Sequence, residues 1–187
     1  MKKLLIIMVS AFCLTFAVNT TASAEEMAVG GGAGIALPVG DMDNVVDFGI
    51  PLFVNFQYAV QPQITVEADI YYWIMASEAE DWVDSFSLLQ YGVSGRYWLD
   101  SAFDGVYFGA GFAFTKWKLK QEWVDPFFGD TETISVSDTE STLVLKGGFA
   151  MPLGEGLYLD FGGRLDMIDF DGDFTMLSGY AMAVKTF

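Results

Sequence analysis

The stretch "LYLDFGGRLDM", residues 157–167, carries Asp160, Arg164 and Asp166 inside an otherwise apolar run. All three charges fall on even positions, with Tyr158 and Gly162. The odd positions read Leu157, Leu159, Phe161, Gly163, Leu165 and Met167. Successive side chains of a strand point to opposite faces, so this alternation predicts a strand with one oily and one charged face. Which face looks inward decides both the fold and the function.

The chain opens "MKKLLIIMVSAFCLTFAVNTTASA", with Lys2 and Lys3, an apolar run from Leu4 to Val18, and Ala22-Ser23-Ala24. That pattern predicts a secretory signal peptide over 1–24, cleaved before Glu25, and a single domain over 25–187. The apolar run is too short for a spanning helix. Cys13, the one cysteine, lies inside this segment and is not preceded by a lipoprotein processing site. A mature chain without thiol has no disulfide, no Cys-ligated metal and no cysteine nucleophile.

Without Lys2 and Lys3, seven of the nine basic residues remain against 25 acidic ones, a formal charge of −18. Duplex binding needs basic surface, so no nucleic-acid partner is expected. Yet the chain is 52% hydrophobic and 16% aromatic, which rules out an acidic disordered protein. Past residue 24 no apolar run reaches the length of a membrane helix. An exported, greasy chain without a second greasy helix needs another way to bury its apolar surface.

The alternation recurs in "IPLFVNFQYA" (50–59), "ITVEADIYYW" (64–73), "LQYGVSGRYW" (89–98), "VYFGAGFAFT" (106–115) and "STLVLKGGFAM" (141–151). With a glycine-rich first strand (27–37) and a last one over about 174–187, eight strands result. Residues 38–48, 77–85, 122–139 and 168–173 are long, acidic connections; 59–63, 99–104 and 152–156 are short turns. Eight amphipathic strands joined alternately by short and long connections fit an all-β, antiparallel, up-and-down transmembrane barrel. In lipid a closed barrel is the only sheet that leaves no unpaired edge. Tyr58, Tyr97, Trp98, Tyr107 and Tyr158 gather at the short-turn ends, as an aromatic girdle would. A soluble sandwich or lipocalin-like barrel would put the oily face inside. Against that, the apolar faces carry large residues on nearly every strand, while the opposite faces are rich in small ones such as Gly30, Gly32, Gly109 and Gly111.

The start "GGGAGIALPVGD" (30–41), the segment "YAVQPQITVEADIYY" (58–72) and the terminal Phe187 resemble the small eight-stranded outer-membrane β-barrel family of the OmpA membrane domain, OmpX and OmpW-like proteins. The resemblance covers the whole mature chain. It implies a monomer in the Gram-negative outer membrane, recognised by the barrel-assembly machinery through Phe187. One feature departs from the family pattern: Lys185 stands where an aromatic or apolar residue usually precedes the final Phe by two. The apolar parity of the last strand runs through Met176, Tyr180, Met182 and Val184, so a bulge or an untypical signal is expected there.

In this fold the charges point inward. The lumen is expected to receive Glu67, Asp69, Asp160 and Asp166 against Arg96, Lys146, Arg164 and also Lys185. An eight-stranded bore is about wide enough for side chains to fill. The charges therefore form either a structural plug of ion pairs or, alternatively, a narrow channel or transporter for small apolar or cationic solutes, the plug being favoured. The chain has no histidine, which removes Ser–His catalysis and His-containing metal sites. Carboxylate pairs such as Asp160/Asp166 or Glu67/Asp69 are what any polar strand face yields, so no catalytic residue, metal or cofactor is expected. "DFDGDF" (169–174) lacks the spacing of a calcium loop. Loose divalent-cation binding by the acidic loops at the lipopolysaccharide layer stays open.

"TKWKLKQEW" (115–123) and "TETISVSDTEST" (131–142) flank the turn sequence "DPFFGD" (125–130) and predict a β-hairpin extending the fifth and sixth strands outside the membrane. Lys116, Lys118 and Lys120 continue the outward face of Phe112 and Phe114, which sets a row of ammonium groups at the height of lipid phosphates. The competing reading pairs them across the hairpin with Glu140 and Asp138 and needs one β-bulge to shift the register. The lipid-facing row is the expectation adopted. The loop aromatics Trp82, Trp123, Phe127 and Phe128 suit a surface partner. The function expected is structural or surface-interacting, through lipopolysaccharide or partner contact, and not enzymatic.

Overall fold

The computed structural model describes residues 26–40, 47–76, 83–124, 131–168 and 174–187. They form eight strands: β1 (Met27–Val39), β2 (Phe48–Gln61), β3 (Ile64–Ala76), β4 (Val83–Trp98), β5 (Gly105–Val124), β6 (Thr131–Gly154), β7 (Leu157–Ile168) and β8 (Phe174–Thr186). Each pairs antiparallel with its sequence neighbour, and β8 returns to β1, so the sheet is a closed barrel. The closing seam runs unbroken from Ala28↔Thr186 to Val39↔Thr175. Among the described residues no helix is long and apolar enough to cross a membrane.

Burial alternates along the strands and sets the two faces apart. On β2, Pro51, Phe53, Asn55 and Gln57 are buried while Leu52, Val54 and Phe56 are exposed. On β7, Phe161 is 48% exposed and its neighbour Asp160 1%. Apolar side chains thus cover the outside, while the bore holds the charged and polar ones together with aromatic and other apolar side chains. Burial of large apolar side chains contributes about 1.5–3 kcal/mol each, so such a surface needs an apolar solvent.

The short connections are shaped by backbone that few residues tolerate. Gly154 and Gly156 bracket Glu155 at positive φ, 104°, 70° and 51°, in the turn between β6 and β7. Between β4 and β5 Phe103 has φ 67°, followed by Gly105 at 78°. A left-handed phenylalanine is held by its surroundings. Its ring is buried between Trp98 and Tyr158, at centroid distances of 6.0 and 6.2 Å. The Ala102 amide donates to the Pro62 carbonyl at 2.7 Å, folding the turn under the bore.

Three expectations change. Trp98, Tyr107 and Tyr158, assigned to an outer girdle, point inward because they share parity with Arg96, Gly109 and Asp160; Trp98 and Tyr107 are 1% and 0% exposed and Tyr158 packs on Phe103. Nearness to a turn says nothing of which face a side chain takes. In β8 the apolar residues Met176, Tyr180, Met182 and Val184 face the bore, while Leu177 and Phe187 face out. That strand has no bulge: its registers with β1 and β7 are both continuous. Lys185 consequently lies outside the lumen, exposed, donating to the Glu155 carbonyl in the β6–β7 turn.

Candidate functional site

Among the described residues seven charged side chains are buried in the bore: Glu67 and Asp69 from β3, Arg96 from β4, Lys146 from β6, and Asp160, Arg164 and Asp166 from β7. They connect in one alternating line. Asp160 Oδ2 lies 2.6 Å from Arg96 Nη1, whose Nε lies 2.5 Å from Glu67 Oε2. Glu67 Oε1 accepts from Lys146 Nζ at 2.8 Å, and the same ammonium reaches Asp69 Oδ2 at 3.5 Å. Asp69 Oδ1 stands 3.7 Å from Arg164 Nη1, and Arg164 ends the line on Asp166, with Nη2 to Oδ1 at 2.8 Å and Nε to both oxygens at 2.9 Å.

With Lys185 outside, four acids meet three bases among the described residues, so these charges do not cancel. Neutral donors supply the difference. The Tyr107 hydroxyl donates to Asp160 Oδ1 at 2.7 Å, and Gln90 Nε2 donates to Asp166 Oδ1 at 3.0 Å. Charged acceptors make hydrogen bonds roughly twice as strong as neutral ones, so each terminal carboxylate is satisfied from two sides. Arg164 also donates to Gln90 Oε1, and Gln90 extends the line to Thr115 and Thr142.

Aromatic rings layer against the cations. The Arg164 guanidinium lies 3.9 Å from the Tyr71 ring centroid and that of Arg96 lies 4.5 Å from Tyr107. Desolvated cation–π contacts are worth about 2 kcal/mol. Tyr71 stacks on Phe53 at 4.5 Å, and Tyr107 shares a 2.6 Å hydroxyl contact with Tyr180. Glycines make the room. A Cβ at Gly162 would stand 2.6 Å from the Tyr180 hydroxyl and 2.8 Å from that of Tyr107; one at Gly148 would stand 2.5 Å from the latter.

Gln90, Thr115, Thr142, Tyr71, Tyr107 and Tyr180 are the members of this network absent from the candidate residues above. Gln90 and Tyr71 were legible, since each sits on the polar parity of its strand. Tyr180 was not, because β8 is apolar on both faces.

The outer rim is arranged differently. β5 and β6 pair without a break from Gly105↔Ala150 to Val124↔Thr131. Lys116 faces Thr139, Lys118 faces Ser137 and Lys120 faces Ser135, so no bulge brings them opposite Glu140 or Asp138. Those acids pair with Thr115 and Trp117, on the other face of the ladder. On β4 the same lysines face Leu89, Ser87 and Ser85. Lys116 and Lys118 are exposed and Lys120 is half-buried. Among the described residues no carboxylate lies within ion-pair distance of any of the three. Trp82, Phe127 and Phe128, the side chain of Trp123 and the acidic segments 41–46, 77–82, 125–130 and 169–173 lie outside the described residues.

No curated protein matches the sequence. Among solved structures, the fold is similar to Neisserial surface protein A (TM-score 0.61, 16% identity, 86% of this chain and 97% of that one). It is also similar to Ail, the attachment invasion locus protein of Yersinia pestis (TM-score 0.60, 13%, 87% and 99%). A third similar fold is the outer membrane protein OprG of Pseudomonas aeruginosa (TM-score 0.54, 11%, 87% and 94%). At these identities the likeness shows the fold. Residues 7–181 match the family model described as the outer membrane protein beta-barrel domain. The chain belongs to that family of outer-membrane β-barrels, a protein of the Gram-negative outer membrane.

Proposed function

We propose that this barrel works at its outer rim and not through its bore, as a surface-interaction protein that holds anionic lipid, lipopolysaccharide in the native leaflet, on the lysine row of β5. The observation that carries this reading is the β5–β6 register, which turns Lys116, Lys118 and Lys120 outward and the β6 acids the other way. A membrane strand needs about 9–11 residues. β5 and β6 have 20 and 24, so the hairpin projects beyond the bilayer and the lysines stand near its outer surface. Ammonium groups there attract lipid phosphate by about 1 kcal/mol each. The bore supports the same division of labour, being crossed by a line of paired charges and closed beneath by Phe103.

The test is lipopolysaccharide carried through purification by the folded barrel, wild type beside the triple variant Lys116→Gln, Lys118→Gln, Lys120→Gln. The expected result is a loss of most bound phosphate with unchanged folding. Equal phosphate in both proteins contradicts the reading.

A further inference from the structure

The wall below the lysine row is not smooth. Ala68 is an exposed small residue set between Phe56 on β2 and Val93 on β4. Around it Val54, Ile70, Tyr91 and Phe114 stand out at 44–57% exposure. The result is an open groove of about 600 Å³ across β1–β5, its walls almost wholly hydrocarbon. Tyr91 and Phe114 line its upper end, with ring centroids 5.8 Å apart.

Lys116 follows Phe114 by two residues on the same face, roughly 7 Å farther along the strand. Lys118 comes next, with the hydroxyls of Ser137 and Thr139 on β6 and Ser87 on β4 beside the row. Ammonium and hydroxyl donors therefore cluster at one end of an apolar groove, on a chain whose formal net charge is −16. An occupant must be apolar along most of its length and anionic at one end. A protein segment would have to leave its backbone groups unpaired against this wall at membrane depth, where each costs several kcal/mol. A phosphorylated lipid meets both demands with no unpaired polar group.

We infer that the β2–β5 wall is a binding site for a single phosphorylated lipid, one acyl chain lying in the groove over Ala68 and the phosphate held by Lys116 and Lys118. This rests on the lysine-row reading above and adds to it a defined seat and a stoichiometry of one. Charge alone gathers lipids loosely; the groove supplies contacts that an annular lipid against a convex wall lacks.

The experiment titrates the refolded barrel, in a detergent with an uncharged head, with dioleoylphosphatidic acid and reads adducts by native mass spectrometry. Dioleoylglycerol and inorganic phosphate serve as the tail and the head alone. The expected result is a dominant one-to-one adduct with phosphatidic acid and little with either part. Ala68→Phe, which fills the groove, weakens the adduct about tenfold. Lys116→Gln and Lys118→Gln each weaken it about fivefold. Ala68→Leu is a milder filling for use if the phenylalanine variant fails to show the gel mobility of a folded barrel.

If the lysine variants lose the lipid while both Ala68 variants keep it, the groove is overturned and the lysine row stands. If the lysine variants keep it as well, both readings fall. Equal binding of inorganic phosphate, or of dioleoylglycerol, or a ladder of several adducts also overturns the single-lipid seat.

Discussion

Lys146 and Lys116 sit on neighbouring strands of one sheet and meet opposite fates. Lys146 faces the bore, is buried, and touches two carboxylates. Lys116 faces out, exposed, and its β6 partner is a threonine. Both are lysines in alternating segments; only parity separates them. In a narrow barrel a charge on the inner parity is forced into company because the bore is too thin for water to solvate it. On the outer parity a charge survives only near the rim, where water and lipid headgroups can solvate it.

The largest expected effect breaks the inner side at its junction. Glu67 bridges Arg96 and Lys146, so Glu67→Ala removes one carboxylate from each of two buried cations and leaves Arg96 with Asp160 and Lys146 with Asp69 at 3.5 Å. Removing one partner of a buried pair destabilises by about 3–5 kcal/mol. Urea unfolding in lipid vesicles should register a loss of at least that size. A change below about 1 kcal/mol would mean the bore is wet enough to solvate the N–H groups that Glu67 leaves behind.

Two adjacent glycines sharpen the comparison. Gly162 faces the tyrosine hydroxyls, whereas a Cβ at Gly163 has as its nearest neighbour the Ser178 carbonyl, 3.8 Å away. Gly162→Ala should destabilise by about 1–3 kcal/mol through overpacking. Gly163→Ala should be neutral or stabilise by about 0.4–1 kcal/mol, because it restricts the unfolded chain. Equal effects at the two positions would remove the tyrosine pair as the reason for the inner glycine.

Tyr107→Phe keeps the ring over Arg96 and deletes the donor to Asp160. A buried acceptor losing its donor costs about 1–3 kcal/mol. The smallest effect belongs to the outer lysines. Lys116→Gln should move stability by less than about 0.5 kcal/mol, since no ion-pair partner among the described residues is lost. Any lipid retention it removes should also fall with added salt, as screening of an exposed charge requires.

Much of this was written in the sequence because the period of a strand is two. The charges at 67, 69, 96, 146, 160, 164 and 166 share parity with small or polar residues, and that alone assigns them a face. The odd-sum pairing of β5 and β6 was available from the same parity. What escaped had a physical cause each time. β8 presents Met176, Tyr180 and Met182 inward, so hydrophobicity marked the wrong face; the contrast to read there was size, large inside against Gly179, Ala181 and Ala183 outside. Trp98 and Tyr107 are aromatic and near turns, yet the bore beside Arg96 needed rings to layer on guanidinium. Phe103 was hidden because its inward position depends on a left-handed backbone that no alternation reports.

A bore closed by its own line of charges should pass no ions. Single-channel recording of the refolded barrel in planar bilayers tests it, wild type beside Arg164→Ala. Wild type is expected to be silent and the variant to leak, because the side chain that holds Asp69, Asp166 and Gln90 in place is gone. A wild type that conducts with cation preference would contradict it and make the lumen charges a conduit.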